Sequence, residues 1–212
     1  MPHHILLFRH GETDWNAQER FQGHIDVPLN DNGRAQARAL ADRLKDTGIE
    51  AILSSDLSRA AETAKIVAEG LELAHPITHD PGLREAHLGE AQGLTRAEIE
   101  ARFGLNLAER WRSWKATDAD VSYPGGETGT VIRERVFGAL ERYLKSNPHH
   151  RKIGVACHGG VIRRVMQHLL PEGSEPVPIP NGVVYEIIFD PATGAWRTDY
   201  RSVKTGQPAP IF

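Results

Sequence analysis

Two arginines and two histidines in this sequence stand just after short apolar runs. Arg9 and His10 follow the run ILLF, Arg59 comes soon after the run AIL, and His158 follows the run IGVAC. Arginine binds phosphate through paired hydrogen bonds, and a neutral imidazole nitrogen is available near neutral pH. If the fold brings these four side chains together, they form a cationic site for which a phosphate group is the natural ligand.

The stretch ACHGGVIRR suggests a second chemistry. Cys157 and Arg163 are spaced as Cys-x5-Arg, the loop pattern of phosphatases in which a cysteine thiolate attacks phosphorus. Such loops have a histidine before the cysteine and a Ser or Thr after the arginine, but in this sequence those two positions are Ala156 and Arg164. We therefore interpret Cys157 as a small buried residue at a strand end and His158 as the working residue. Arg163 and Arg164 are expected on the following helix, solvated or in ion pairs.

The elements that must position these residues follow from hydrophobic periodicity. Short apolar runs predict buried strands, and apolar residues spaced i, i+3, i+4 predict amphipathic helices. The predicted strands are 5–8, 51–53, 153–156, 183–189 and 196–203, and the predicted helices are 33–45, 57–70, 94–103, 132–143 and 159–169. A hairpin around 190–194 joins the last two strands. Asn30 or Asn32 caps the first of these helices.

This alternation of strands and helices predicts an α/β layer fold with a largely parallel central sheet. In such folds, ligands bind outside the carboxyl ends of the strands. If strands 5–8 and 153–156 are parallel neighbours, about 4.8 Å apart, His10 and His158 face one pocket. The fold class and the chemistry-bearing residues therefore point to the same edge of the sheet.

Length and composition limit the alternatives. The chain has 212 residues, of which 40% are apolar and 25% charged, which favours a single domain over residues 1–206 with a loose tail at 207–212. The net charge of −3 gives no global drive toward nucleic acid or an anionic membrane.

The number of cysteines and the N-terminal sequence indicate in which cell compartment the protein is expected. The sequence has one cysteine, which excludes an internal disulfide and is compatible with a reducing compartment. The N-terminal apolar run is too short for a signal peptide or a membrane span. We therefore expect a cytoplasmic protein. The four histidines of the N-terminus and of one turn, His3, His4, His149 and His150, are expected to be solvated rather than to bind a metal.

Several short motifs occur in a fixed order between about residues 5 and 165. They are Arg9-His10-Gly11-Glu12-Thr13, Trp15-Asn16, Gln22-Gly23, Asp26 with Pro28-Leu29, Ser54-Ser55, Arg59-Ala60, Glu62-Thr63-Ala64, Leu83-Arg84-Glu85, Pro124-Gly125-Gly126-Glu127 and His158-Gly159-Gly160. One Arg-His-Gly triplet would be weak evidence, but the ordered set is specific. It resembles the histidine phosphatase superfamily, which includes the cofactor-dependent phosphoglycerate mutases. The resemblance implies a three-layer sandwich, with helices on both faces of a mostly parallel sheet.

The resemblance also implies roles for individual residues. His10 would be the nucleophile that forms a phosphohistidine, with its other ring nitrogen donating to a backbone carbonyl. Arg9, Arg59 and His158 would bind the phosphoryl oxygens and neutralise charge in the transition state. Glu85 would protonate the leaving alkoxide and then activate water. With charge supplied by these side chains, no metal is required.

Further positions are implied to contact the substrate. Asn16 would add a neutral donor, and Gln22, Gly23 and Gly159 would line the binding site, although Gln22 and Gly23 could instead serve backbone geometry. Arg20 is as well explained by a surface role. The segment 86–125 departs from both branches of the superfamily: Ala91 and Gln92 replace the tryptophan and glutamate of many phosphatases, and Arg112 is a single arginine after Trp111 where the mutases have two.

The single arginine at Arg112 favours hydrolysis of a small phosphomonoester over mutase activity, whereas the departure at Ala91 and Gln92 leaves that wall of the pocket open. The alternative is a phosphoglycerate mutase, which would use 2,3-bisphosphoglycerate as its cofactor; a phosphatase needs none. A non-catalytic regulator that binds a phosphorylated ligand predicts loss of His10 or Glu85, and both are present. We expect a small phosphorylated substrate and neither nucleic acid nor membrane as a partner, and the sequence leaves a homodimer open.

Overall fold

One mixed sheet organises the residues described by this computed structural model, which are 1–114 and 120–198. Its strands are β1 (His3–Arg9), β2 (Ala51–Ser54), β3 (Thr78–His79), β4 (Lys152–Cys157), β5 (Val184–Asp190) and β6 (Ala195–Thr198). Within the described residues their order is β3-β2-β4-β1-β5-β6. The pairs β3-β2, β2-β4 and β4-β1 are parallel, whereas β5 and β6 run antiparallel to their neighbours. The predicted mostly parallel sheet is confirmed.

Seven α-helices accompany the sheet in the described residues. They are α1 (Asp14–Ala17), α2 (Asp31–Leu44), α3 (Ser58–Gly70), α4 (Arg96–Phe103), α5 (Leu105–Arg112), α6 (Gly129–Ser146) and α7 (Gly159–Leu169). Asn30 is the residue that caps α2, because its side-chain oxygen accepts a hydrogen bond from the Gly33 amide at 2.8 Å. Thr128 caps α6 in the same way. No helix of the described residues is long and apolar enough to cross a membrane.

Alternation along the strands separates two hydrophobic cores. In β1, Leu6 and Phe8 pack with residues of α2 and α3, while Ile5 and Leu7 pack with residues of α6 and α7. Successive strand residues point to opposite faces, so one strand serves both layers. Burying each large aliphatic side chain stabilises the fold by about 1.5–3 kcal/mol. The three-layer sandwich with helices on both faces is thereby confirmed.

The structure adds elements that the periodicity did not predict. Strand β3 has only two residues, both exposed, and it pairs with β2 alone. Helix α5 buries only Ala108 and Trp111, so its apolar face is narrow.

The predicted 190–194 hairpin is confirmed by the antiparallel β5-β6 pair. Residues 199–203 of the last predicted strand and the predicted tail at 207–212 lie outside the described residues.

Candidate active site

Parallel pairing of β1 and β4 places two histidines side by side. Arg9 is in register with Cys157, so the next residue of each strand leaves the sheet at the same edge. The rings of His10 and His158 lie 5.1 Å apart between centroids, edge to face at 60°. The His10 amide also donates to the Cys157 carbonyl at 3.0 Å. The juxtaposition expected from the sequence is present.

A short hydrogen bond fixes the tautomer of His10. Its Nδ1 lies 2.6 Å from the carbonyl oxygen of Gly11, which only accepts, so Nδ1 carries the proton and Nε2 has the lone pair. Burial lowers the pKa of His10 well below its ordinary value, and the positive charges of Arg9 and Arg59 lower it further. The ring is therefore neutral near neutral pH and presents an unprotonated nitrogen.

His158 is held behind His10 by a second strand end. Its Nε2 lies 2.9 Å from the Ser55 hydroxyl, which follows β2, and the whole side chain is buried. Burial and the charge of Arg59 lower the pKa of His158 well below its ordinary value. Its Nδ1 is buried and has no hydrogen-bond partner among the described residues. This atom is available to a ligand oxygen placed against His10.

Arg9 and Arg59 are anchored mainly by main-chain oxygens, although Asp26 lies 4.0 Å from Arg59. Arg9 donates to the Ile179 carbonyl at 2.6 Å. Arg59 is fully buried and donates to the carbonyls of Ile25 at 3.0 Å and Gly23 at 2.8 Å. Burial lowers the pKa of Arg59 to about 10, so its guanidinium group stays charged at neutral pH, and burial also lowers the pKa of Arg9. The Nε atoms of both are buried without a partner in the described residues, which suits an anionic ligand.

Glu85 reaches the site from a loop and is fixed by backbone amides. Its two carboxylate oxygens accept hydrogen bonds from its neighbour Ala86 at 2.9 Å and from Gly160 at 3.1 Å. A Cβ atom on residue 160 would lie 2.3 Å from Oε1 of Glu85. Only glycine at position 160 therefore allows the carboxylate to approach the first turn of α7 this closely.

Arg135 of α6 holds the main chain that leads to this carboxylate, from Gly82 to Glu85. Its guanidinium donates to the carbonyls of Gly82, Arg84 and Glu85 at 2.7–2.8 Å and to both oxygens of Glu127 at 2.8 and 2.9 Å. All five donors of the guanidinium group are thus used. His24 adds a contact between its Nε2 and the Glu85 carbonyl at 2.8 Å. Neither Arg135 nor His24 was predicted from the sequence.

Asn16 faces the cavity with its donor group free to bind. Its side-chain oxygen accepts from the Thr13 amide at 3.1 Å and from the Thr13 hydroxyl at 3.2 Å, and Asn181 donates to it at 3.4 Å. These bonds occupy the acceptor end of the amide, which leaves its two N–H donors for the cavity. Asn181, which also donates to the His10 carbonyl at 2.9 Å, was not predicted.

Gln22 and Gly23 shape the wall beside Arg59. Gln22 is buried and its side-chain oxygen has no partner within the described part of the chain, while Gly23 has a positive φ of 55° and its carbonyl binds Arg59. Gln92, which departs from the phosphatase pattern, packs against Gly23 and accepts from the His24 amide at 2.7 Å. Gly23 therefore has a backbone role, and Gln92 supports it.

A cavity of about 390 Å³ collects most of the predicted site residues. It is lined by Arg9, His10, Asn16, Gln22, Gly23, Arg59, Glu85 and Gly159, together with Arg20, Arg112 and Arg163. His158 lies behind its surface, in contact with His10. A larger groove of about 810 Å³ between α6, α7 and residues 170–176 is lined by none of the predicted catalytic or substrate-binding residues. The chemistry therefore concentrates in the smaller cavity.

Cys157 is buried at a strand end, as interpreted, and Arg163 and Arg164 lie on α7 as expected, but Arg164 is buried rather than solvated. Cys157 is fully buried in the core that faces α6 and α7, and burial raises the pKa of its thiol, so no thiolate forms near neutral pH. Arg164 is buried and donates to the Trp111 carbonyl at 3.1 Å. Arg163 lines the cavity and donates to the Arg112 carbonyl at 2.8 Å. Helix α5 covers both arginines, which the sequence pattern did not reveal.

The expectation that the histidines at the other end of the sheet are solvated is wrong for two of them. His3 and His150 are buried, the Nδ1 of His3 contacts the His150 carbonyl at 2.8 Å, and His150 contacts the Tyr143 hydroxyl at 3.0 Å. The interior between β1 and α6 encloses them. Among the described residues, no group of three or more His, Cys, Asp or Glu side chains is arranged to hold a metal ion.

The fold and the site together define an α/β protein with a neutral histidine and two arginines at the carboxyl edge of its sheet. The match to the family described as Histidine phosphatase superfamily (branch 1) covers residues 5–199. The chain belongs to the histidine phosphatase superfamily, whose members are phosphatases or phosphoglycerate mutases.

Individual relatives fall on both sides of that division. Phosphoglycerate mutase-like protein 4 of Arabidopsis thaliana is 40% identical over 84% of this chain and 75% of its own length. The metal-independent phosphoserine phosphatase of the same plant is 38% identical over 76% of this chain and 66% of its own. The structure of a mycobacterial glucosyl-3-phosphoglycerate phosphatase matches with a TM-score of 0.80 and 31% identity, over 94% of this chain and 98% of that one.

Proposed function

We propose that this protein is a metal-independent phosphatase that hydrolyses a small phosphomonoester through a phosphohistidine on His10. The observation that carries the proposal is the tautomer of His10. Its Nδ1 donates to the Gly11 carbonyl, which leaves Nε2 unprotonated, and His10 lines a cavity together with Arg9 and Arg59. Similarity to a phosphoserine phosphatase and a glucosyl-3-phosphoglycerate phosphatase supports hydrolysis.

In the first step, Nε2 of His10 attacks phosphorus and the bond between phosphorus and the ester oxygen breaks. Protonated Glu85, whose carboxyl group lies against the Gly160 amide, gives its proton to the leaving alkoxide. Arg9 and Arg59 bind the phosphoryl oxygens, and Nδ1 of His158 and the amide of Asn16 add donors. The product of this step is an alcohol and the phosphorylated histidine.

In the second step, water attacks the phosphohistidine. The Glu85 carboxylate accepts a proton from that water, the bond between phosphorus and Nε2 breaks, and inorganic phosphate leaves. His10 returns to its starting tautomer because Nδ1 keeps its proton throughout. The arginines balance the charge of the phosphoryl group, so the reaction has no need of a metal.

The experiment that tests this proposal combines a variant with trapping of the intermediate. We expect His10→Ala to fold and to retain less than about 1% of wild-type kcat on a phosphomonoester panel, because the nucleophile is lost. Wild-type protein quenched during turnover should carry the phosphoryl group on His10, seen by mass spectrometry at alkaline pH. His79→Ala, at an exposed position of β3, is the matched control. Loss of wild-type activity in EDTA would contradict the metal-independent mechanism.

The second candidate function is a 2,3-bisphosphoglycerate-dependent phosphoglycerate mutase, favoured by similarity to the phosphoglycerate mutase-like protein. Such an enzyme shields the phosphohistidine from water and returns the phosphoryl group to a second hydroxyl. Incubation with 3-phosphoglycerate and a trace of 2,3-bisphosphoglycerate, followed by phosphorus NMR, separates the two. Formation of 2-phosphoglycerate at enzymatic rates identifies a mutase, and accumulation of inorganic phosphate identifies a phosphatase.

The remaining expectations concern the cell rather than the site. A cytoplasmic location, a small phosphorylated substrate and the lack of nucleic-acid or membrane partners stay predictions. Co-purification and fractionation from the native cell would check them. Assembly as a homodimer stays open, and light scattering coupled to gel filtration decides it.

A further inference from the structure

His158 is a neutral imidazole, so only one of its two ring nitrogens carries a proton. The side chain is fully buried, and burial together with the charge of Arg59 holds its pKa well below the ordinary value. A neutral imidazole has one N–H donor and one bare acceptor nitrogen. The position of the proton therefore decides whether His158 attracts a phosphoryl oxygen or repels it.

The two ring nitrogens of His158 have different surroundings. Nε2 lies 2.9 Å from the hydroxyl oxygen of Ser55. Nδ1 is buried and has no hydrogen-bond partner in the described part of the chain. Nδ1 is therefore the ring nitrogen that is left for a ligand oxygen.

The hydrogen bonds of Ser55 indicate the direction of its contact with His158. Ser55 is fully buried, and its hydroxyl oxygen accepts a hydrogen bond from the Leu57 amide at 3.3 Å. Among the described residues, the hydroxyl has one hydrogen-bond partner that can accept its hydrogen, which is Nε2 of His158. If Nε2 were protonated, the hydroxyl oxygen would face two donors and its own hydrogen would stay buried without an acceptor, which costs free energy.

The parallel pairing of β2 with β4 holds Ser55 beside His158. Ser54, the last residue of β2, is in register with Ala156 of β4. The Ser55 amide donates to the Ala156 carbonyl at 3.0 Å, two residues before His158. The hydroxyl therefore has a fixed position at the same edge of the sheet as the two histidines.

We propose that Ser55 is a positioning residue, which donates its hydroxyl hydrogen to Nε2 of His158 and thereby keeps the imidazole proton on Nδ1 for a phosphoryl oxygen. The inference rests on the proposed function, in which that N–H binds the transferred phosphoryl group. Ser55 does for His158 what the Gly11 carbonyl does for His10, with the opposite result. His10 keeps a bare nitrogen for phosphorus, and His158 keeps a proton for oxygen.

Nitrogen-15 NMR of the ligand-free protein, labelled on its histidine rings, tests the tautomer directly. Protonated and bare ring nitrogens differ in chemical shift, and the resonances of His158 are those that disappear in His158→Gln. At neutral pH we expect Nδ1 of wild-type His158 to be protonated and Nε2 to be bare. In Ser55→Ala the bias toward Nδ1 is lost, so Nε2 should be protonated in a measurable fraction of molecules.

Binding of inorganic phosphate, followed by phosphorus NMR titration, measures the consequence. We expect Ser55→Ala to raise the dissociation constant roughly 3- to 10-fold, the size of one hydrogen bond to a charged ligand. Ser54→Ala is the matched control, because it removes the neighbouring buried hydroxyl, which donates to the Ser55 carbonyl at 2.7 Å rather than to His158. This control should keep the wild-type tautomer and stay within about twofold of the wild-type affinity.

A purely structural role for Ser55 makes a different prediction. The Leu57 amide that binds Ser55 precedes α3, which carries Arg59, so a structural role would act through Arg59. The loss of phosphate affinity would then persist when Ser55→Ala is combined with His158→Gln. We instead expect Ser55→Ala to change the affinity less than about twofold in the His158→Gln background, because both changes remove the same interaction.

Three results would overturn the inference: a wild-type His158 protonated on Nε2, a tautomer that Ser55→Ala leaves unchanged, or a loss of phosphate affinity that persists in full in the His158→Gln background. If Ser55→Ala does not fold, Ser55→Cys replaces it, because its thiol is a weak donor of about the same size. These measurements need no turnover. Failure of the proposed function has a separate signature, which is the lack of phosphate release and of a trapped phosphohistidine with every substrate.

Discussion

At the residue scale, Cys157 and His158 show how adjacent residues acquire different chemistry. Cys157 belongs to the hydrophobic core that also contains Ile5 and Val155, and burial raises the pKa of its thiol. The ring of His158 instead contacts Ser55 and His10 at the edge of the sheet. A thiol in an apolar core stays protonated and is a poor nucleophile, so the Cys-x5-Arg spacing has no catalytic meaning here.

We expect Cys157→Ser to keep wild-type kcat/KM within about threefold, because the thiol takes no part in the reaction. The serine hydroxyl would be buried in apolar surroundings, so the free energy of unfolding should fall by about 1–3 kcal/mol. Steady-state kinetics and urea denaturation measure the two effects. Cys157→Ala is the matched variant without a polar atom, and a folded but inactive Cys157→Ala would restore the thiolate hypothesis.

The site residues whose side-chain type itself performs the chemistry could be predicted from the sequence. The residues whose role arises only from their burial in the fold could not. Arg9, His10, Arg59 and His158 follow strands that periodicity reveals, so their meeting at one edge was predictable. Arg163 was expected on α7, solvated or in an ion pair, because nothing in the pattern showed that its guanidinium group contacts the end of α5. Its spacing of four residues from Gly159 was the available signal.

At the element scale, Glu85 depends on helices that are distant in sequence. It belongs to a loop without regular structure, and Arg135 of α6 binds the carbonyls of Gly82, Arg84 and Glu85. These contacts span 50 to 53 residues of sequence. On a helical wheel, Arg135 resembles any charged surface residue, since three of its five hydrogen bonds go to main-chain carbonyls of a loop distant in sequence. No residue pattern could have predicted this contact.

We expect Arg135→Lys to impair the acid step selectively. A single ammonium group cannot replace five donors in a planar arrangement, so Glu85 should lose its position. Alkyl phosphates need a protonated leaving group, and their kcat/KM should fall about 10- to 100-fold. The kcat/KM for p-nitrophenyl phosphate, whose leaving group departs without a proton, should fall much less.

Arg133→Lys, on the same helix, is the matched control and should leave the ratio of the two substrates unchanged. The double variant Arg135→Lys/Glu85→Gln should be no slower on alkyl phosphates than Glu85→Gln alone, because both changes remove the same function. Equal losses on both substrates would show that Arg135 supports only the fold.

At the scale of the whole molecule, the pattern of the sequence predicts the fold class but not the order of the strands in the sheet. Alternating strands and helices specify an α/β fold, because each element must bury an apolar face against the next. The order of the strands depends on crossover connections that periodicity does not encode. Strand β3 is too short and too exposed to leave a pattern. Arg9, His10, Arg59 and His158 could still be predicted to meet, because they follow β1, β2 and β4, whose apolar runs are distinct.

Stability against acid is a property of the whole fold, because folding must keep buried histidines neutral, among them His10 and His158. Burial lowers the pKa of His10 and of His158 well below the ordinary value, whereas in the unfolded chain they titrate near about 6.5. Below that pH the unfolded state therefore binds protons that the folded state does not. As the pH decreases below that value, the free energy of unfolding should therefore fall by up to about 1.4 kcal/mol per pH unit for each of these histidines.

Urea denaturation between about pH 7.5 and 5.5 measures this slope, and His10→Gln should reduce it because glutamine does not titrate. His79→Gln, at an exposed position, should leave the slope unchanged, and an unaltered slope in His10→Gln would contradict the assignment. The same low pKa keeps Nε2 of His10 unprotonated in mild acid. The loss of kcat/KM that results from protonation of His10 should therefore occur well below pH 6.5. In this pH range the free energy of unfolding is also reduced.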